Sequence, residues 1–259
     1  MEPKKLIAAL AVKHRGDWEL IYKDLHHRGA FDDPIEIERL LKQIRCNYIT
    51  ICDREYPDYL RNYPEPPFAL FYSGDISLIS DIEHNLAVIG TREPTIQGIE
   101  NTRKIVRGLK ENIVVVSGLA RGIDGEAHHS ALMSGHKTIA VLGSGIDICY
   151  PMENYKLYKR ILRDKNNLVI SEYPNGVAPS PDHFPKRNRL ISAFSKRLLV
   201  TEARLRSGTT STMSFALTTN KDVLCLPSID FGNSACNLCI KDGGYLVESS
   251  EDVNVFFWR

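Results

Sequence analysis

The sequence predicts an α/β fold, a parallel sheet with helices on both faces, preceded by a small helical unit. Three observations carry this. From Asn85 onward, short apolar runs alternate with amphipathic stretches of helical length. The runs, such as Ile-Val-Val-Val at 113–116, are apolar without alternation, which suits strands covered on both faces. They end in glycine, serine and threonine, the residues of strand-to-helix turns. With 259 residues, 43% hydrophobic and 25% charged, the chain is large enough for one extended core plus a small accessory unit.

Residues 1–45 carry three apolar faces at helical spacing: Leu6, Ile7, Ala9, Leu10 and Val12; Trp18, Leu20, Ile21 and Leu25; Ile35, Ile37, Leu40, Leu41 and Ile44. Gly16-Asp17 and Asp32-Asp33-Pro34 separate them, with Pro34 at a position where a helix accepts proline. Residues 46–80 are expected to form a connector that packs on the core, stiffened by Pro57, Pro64, Pro66 and Pro67 and closed by Ser73-Gly74-Asp75. Residues 81–255 form the main domain. Its strands are expected at 86–89, 113–116, 138–142, 168–170, 198–201, 223–226 and 245–247, and its helices near 99–111, 126–134, 154–163, 188–194 and 209–219.

The formal net charge of +1 gives no global pull on a polyanion, so any such site must be a local patch. No apolar run reaches the ~20 residues of a membrane span, and the first residues lack a signal core, so a cytoplasmic protein without membrane contact is expected. The six cysteines are scattered, and Cys236-Asn-Leu-Cys239 is a single CxxC with no partner ligands nearby. Reduced thiols are expected there, with no metal and no cofactor.

The chain is organised around residues 113–125, where a buried strand runs into Ser117-Gly118 and then Gly122 and Gly125. A glycine turn between a strand and a helix N-terminus leaves aligned N–H groups that bind anions. Arg121 adds a positive charge, and Asp124 is expected to cap the helix. Plain strand-to-helix geometry would need the same glycines. Other strand exits are similar: Gly90-Thr91-Arg92, Gly143-Ser144-Gly145, Thr201-Glu202-Ala203, and Ser207-Gly208-Thr209-Thr210 at a helix start. Exits of a parallel sheet converge on one side, so together they describe a wide anion site with Arg92 pointing into it. Asp124 and His128 are four apart on one helix face and are expected to pair structurally, fixing the turn.

A second cluster is Phe184-Pro-Lys-Arg-Asn-Arg. Between Pro185 and Arg206 stand seven basic residues (Lys186, Arg187, Arg189, Lys196, Arg197, Arg204, Arg206) against one acid, Glu202. An aromatic beside arginines suits single-stranded nucleic acid, with bases on the ring and phosphates on guanidinium groups. A solvated basic helix start with Phe184 turned inward has the same composition.

The motifs occur in a fixed order: Val88-Ile89-Gly90-Thr91-Arg92; Ser117-Gly118-Leu119-Ala120-Arg121-Gly122-Ile123-Asp124 with Ala127-His128; Val141-Leu142-Gly143-Ser144-Gly145 through Tyr150-Pro151 with Asn154; Ser171-Glu172-Tyr173-Pro174; Phe184 to Ser192; Thr201 to Thr210; and Lys241-Asp242-Gly243-Gly244. In this order they resemble the DNA-processing protein A family (DprA, or Smf), over about residues 45–250. The resemblance implies an extended Rossmann-like domain, non-enzymatic, that dimerises and binds single-stranded DNA in a basic pocket. It also implies protection of incoming strands during natural transformation and loading of the RecA recombinase on them. By motif, the DNA-binding residues would be Arg92, Ser117, Gly118, Arg121, Phe184, Lys186, Arg187, Asn188 and Arg189, with Gly90, Ser207 and Gly208 at the exits beside them. Asp124, His128, Gly143 and Gly145 would shape the turns.

The chain departs from the family pattern at Ala193 and at Ser228 after Pro227. Residues 1–45 match the family's SAM-like domain by position and pattern only, and no winged-helix domain is expected after residue 255. The alternative is a nucleotide-binding or nucleotide-processing protein of the same superfamily, either a sensor or a phosphoribohydrolase. The latter are marked by PGGxGTxxE, where this chain offers Arg206-Ser207-Gly208-Thr209-Thr210-Ser211-Thr212 without paired glycines or the glutamate. Glu202 is the only nearby substitute for that acid, and Glu172 a distant one.

Overall fold

The computed structural model describes residues 2–27 and 33–257. Asp32, in the second expected break, lies outside them. The elements run α1 (Pro3–Lys13), α2 (Trp18–His26), α3 (Pro34–Leu41), β1 (Asn47–Thr50), α4 (Asp58–Arg61), β2 (Ala69–Gly74), β3 (Asn85–Ile89), α5 (Ile96–Arg107), β4 (Val114–Ser117), α6 (Ile123–Met133), β5 (Thr138–Leu142), α7 (Tyr155–Arg163), β6 (Leu168–Ser171), α8 (His183–Ala193), β7 (Arg197–Val200), α9 (Gly208–Thr218), β8 (Asp222–Cys225), α10 (Ala235–Lys241), β9 (Tyr245–Leu246) and α11 (Ser250–Val255).

These strands form one sheet of order β1-β2-β6-β5-β4-β3-β7-β8-β9. From β6 to β9 every pairing is parallel. The apolar strand runs explain why: both faces are covered. Leu86, Val88, Val115, Leu199 and Leu224 lie under α5, α6 and α11. Ala87, Ile89, Val116, Val141, Val200 and Cys225 lie under α8, α9 and α10. Burying such large apolar area at roughly 25 cal/mol per Å² is the main force holding the layers.

The connector does more than pack on the core. Its two strands join the sheet, β2 antiparallel to β6 and β1 antiparallel to β2. Tyr56 and Leu60 are fully buried in the main core, and the Tyr56 hydroxyl donates to the Pro67 carbonyl at 2.8 Å. The N-terminal helices are part of the same body: Ile7, Leu10, Ala11 and Ile21 cluster with Phe71, Ala140, Leu142 and Val169.

Cys225 at the end of β8 and Cys236 and Cys239 on α10 are buried free thiols. Among the described residues no group of three or more His, Cys, Asp or Glu is placed to hold a metal ion, and no helix is long and apolar enough to cross a membrane.

Candidate nucleic-acid interface

The chain leaves β3 through β4, β5 and β6 on one side, then returns to place β7 on the other side of β3. The helices after β3 and β7 therefore leave toward opposite faces of the sheet, opening a crevice at the strands' carboxyl ends. A cavity of about 310 Å³ lies there, lined by Gly90, Thr91, Arg92, Glu93, Asn188, Ser207, Gly208 and Thr209, with Asp124 and Arg187 at its base. It adjoins a second cavity of about 180 Å³ lined by Gly118, Arg121, Gly143, Ser144, Tyr150 and Phe184; Arg92 and Arg187 line both. The exits are tied together by the Thr91 N–H donating to the Glu202 carbonyl at 2.7 Å and the Thr209 hydroxyl donating to the Gly90 carbonyl at 2.9 Å.

The glycine turn is built differently from the expectation. Helix α6 begins at Ile123, so Asp124 lies inside its first turn and is no cap. Its buried carboxylate instead accepts the Gly118 N–H at 3.2 Å and faces the backbone amides of Ala120 and Gly90, joining the exits of β3 and β4. Amides that would otherwise bind phosphate thus hold an internal anion. Gly122 makes the reversal possible: its φ is +74°, and a Cβ there would stand 2.4 Å from the Thr91 carbonyl oxygen. Asn154 secures the other side, donating to the carbonyls of Leu119 and Ala120 at 3.0 and 2.9 Å.

Arg187 lies beneath this turn, only 4% exposed. Its guanidinium donates to the Gly118 and Val141 carbonyls, and burial lowers its pKa to about 10 against the pull of Asp124. For Asp124, burial pushes the carboxyl up while Arg187 and the three amides oppose it. The two charges compensate each other inside the wall of the crevice.

Above them is an aromatic and cationic stack. Tyr150 lies against Phe184 with ring centroids 5.5 Å apart and planes at 29°, and the Arg92 guanidinium carbon sits 5.3 Å from the Phe184 centroid. Gly143 admits the ring, since a Cβ there would be 3.0 Å from Phe184 Cδ1. Arg121 is exposed on the same cavity and pairs with Glu153.

The crevice therefore collects Gly90, Arg92, Gly118, Arg121, Gly143, Phe184, Arg187, Asn188, Ser207 and Gly208 of the residues named from sequence. Asn188 bridges α8 to α9, donating to Ser211 Oγ at 3.1 Å. Lys186 is exposed and lines neither cavity; its Nζ is 3.9 Å from Asp17, which caps α2. Gly145 sits away from both cavities in a turn where its N–H donates to the Val177 carbonyl at 2.7 Å.

Three expectations are corrected by geometry. Ser117 is fully buried and its hydroxyl donates to the Val88 carbonyl at 2.7 Å, so it faces the sheet and not the crevice. Arg189 is buried too, donating to Glu172 Oε1 at 2.7 Å, with side-chain exposures of 4% and 8%. It fixes α8 to the end of β6 and does not reach the cavities. His128 bonds Thr138 and not Asp124: the Thr138 hydroxyl donates to the Val115 carbonyl, so His128 Nδ1 is the donor at 2.7 Å. Burial lowers the His128 pKa to about 3, and the ring is neutral.

The burial of Arg187 follows from the start of α8 at His183, five residues before the expected 188. Arg187 then shares one helix face with Leu190, Ile191 and Phe194, all buried, at spacings of three, four and seven. That periodicity is present in the sequence. Tyr150, Glu93 and Glu153 were not singled out there; Tyr150-Pro151 marked a motif but carried no stacking signal.

The family model described as DNA recombination-mediator protein A matches residues 47–257. The chain belongs to that family. The match covers all strands of the sheet and the whole crevice, with α1–α3 preceding it. The chain is 40% identical over 206 residues to DNA processing protein DprA of Streptococcus pneumoniae, 79% of this chain and 72% of that protein. It is 39% identical over 213 residues to Protein Smf of Synechocystis, of which it spans 53%. Among solved structures, that of Streptococcus pneumoniae DprA matches with a TM-score of 0.80 at 34% identity, covering 97% of this chain and 92% of that one. DNA processing protein A of Helicobacter pylori, whose structure is described for its single-stranded DNA binding mode, matches with a TM-score of 0.73 at 28% identity, covering 83% of this chain and 97% of that one. The family's Rossmann-like sheet is thus the sheet seen here.

Proposed function

We propose that the protein is a recombination mediator that binds single-stranded DNA in the crevice beyond β3, β4, β5 and β7. The observation that carries this reading is the stack of Arg92, Phe184 and Tyr150 beside the exposed Arg121. Rings accept the π-face of any base, and guanidinium groups take phosphate oxygens in a fork, so the site suits a strand of any sequence. A duplex keeps its base faces stacked inside and offers nothing to rings recessed in a cleft. Phosphate attraction falls to Arg92, Arg121 and Lys186, because the turn's amides are engaged by Asp124. Arg187 and Asn188 shape the floor, and Gly90, Ser207 and Gly208 let the backbone approach.

Family membership and the description of the Helicobacter pylori relative support the same ligand. In this reading the protein works as a homodimer in the cytoplasm, covers incoming single strands during natural transformation and loads RecA on them. It performs no bond-breaking chemistry: the Glu202 carboxylate accepts from the Thr95 hydroxyl at 2.9 Å, and Glu172 is paired with Arg189.

The test is binding of a labelled oligo-dT of about 30 nucleotides against the matching duplex across a salt series. Tight, salt-sensitive, single-strand-selective binding is expected, followed by faster RecA assembly on a strand covered by single-strand-binding protein. No binding at low salt contradicts the reading, and a thermal-shift screen of nucleotides would then identify the ligand.

A further inference from the structure

We infer that Tyr150 is a base-stacking platform of this site, an assignment that rests on the single-stranded DNA reading above. Phe184 is the aromatic that the charge pattern points to, yet its ring is already hemmed in. Tyr150 stacks on it, the Arg92 guanidinium lies over it, and the Gly143 backbone comes up against its edge. Phe184 is accordingly half-buried. Tyr150 ends the stack on the solvent side and is 48% exposed.

Single exposed aromatics are common on protein surfaces and mean little alone. Tyr150 differs because it lines the same cavity as Arg92, Arg121 and Phe184, facing the position a base would take. Its neighbour in the stack also fixes its orientation, so a base meets a ring that is already ordered and loses little rotamer entropy on contact. Phe184 then acts as the support that holds Arg92 and Tyr150 in register, while Tyr150 meets the base and Arg121, on the same cavity, takes the adjoining phosphate. A ring face does not discriminate among bases, so the arrangement adds affinity without sequence preference.

The test compares an oligo-dT with an oligonucleotide of the same length made of abasic residues, for the wild-type chain, Tyr150→Ala and Tyr150→Phe. Tyr150→Ala is expected to lose about 5- to 100-fold in affinity for oligo-dT and little for the abasic strand, because only the former offers a base to stack. Tyr150→Phe is expected to retain wild-type affinity for both, and melting temperatures check that all three chains are folded. Wild-type binding of oligo-dT with unchanged affinity in Tyr150→Ala, or an equal loss on both strands, overturns the assignment alone. Failure of the folded wild-type chain to bind either strand overturns the assignment together with the reading it rests on.

Discussion

The Asp124 carboxylate accepts the Gly118 N–H at 3.2 Å, across the turn that the glycine pattern marks as an anion site. With the Ala120 and Gly90 amides on the same carboxylate and Arg187 beside it, the turn carries its own counter-charge. Asp124→Asn brings an amide NH₂ against backbone donors and leaves the buried Arg187 charge without its counter-charge. The expected outcome is a destabilisation of about 3 kcal/mol, read as a lowered melting temperature. An unchanged melting temperature with lost DNA binding would make Asp124 a ligand-binding group instead.

Two arginines separate binding from stability. Arg92 is exposed on the crevice, so Arg92→Ala is expected to weaken single-strand affinity about tenfold with little change in melting temperature. Arg189→Ala leaves Glu172 buried and unpaired, and is expected to destabilise the fold by about 3 kcal/mol. Thermal unfolding and binding measured on both variants check this. The reverse pattern would place Arg189 on the strand.

Glu153 pairs with Arg121, both side chains are exposed, and in the proposed site Glu153 would compete with phosphate for that guanidinium. Glu153→Gln frees the guanidinium and removes a negative charge from the rim. Single-strand affinity is expected to rise a few-fold at low salt and to converge with wild type at high salt, where screening shortens the reach of both charges. A fall in affinity would mean that the pair itself positions Arg121 for binding.

His128 gives the fold an acid-sensitive element. Its pKa is held at about 3 by burial, against an ordinary value of 6.5. The unfolded chain binds a proton that the folded chain refuses, so stability falls as pH drops from 6.5 toward 3, by about 1.4 kcal/mol per unit for this group. His128→Gln is expected to flatten the stability profile between about pH 6.5 and pH 5. Identical profiles for the two chains would assign the acid response to other groups.

The crevice was largely legible in the sequence, because the ends of parallel strands converge whatever the tertiary detail. Gly90, Arg92, Gly118, Ser207 and Gly208 could be placed together from alternation and small residues alone. What fills the turn was not legible: the amides of Gly90, Gly118 and Ala120 come from separate segments, and their meeting on Asp124 is a matter of three-dimensional convergence. In the sequence Arg187 and Arg189 look like surface charges because charge normally signals solvent, although the spacing of Arg187 with Leu190, Ile191 and Phe194 points inward. The antiparallel addition of β2 to β6 joins residues about a hundred positions apart, which local propensity does not encode.

The most direct measurement is the slope of log affinity against log salt for oligo-dT, in wild type and Arg92→Ala. For a strand held by side-chain cations in this crevice, the wild-type slope is steep and Arg92→Ala lowers it by about 0.7, the value of one single-strand phosphate contact. An affinity independent of salt, or an unchanged slope in Arg92→Ala, would contradict the claim that these cations hold the strand.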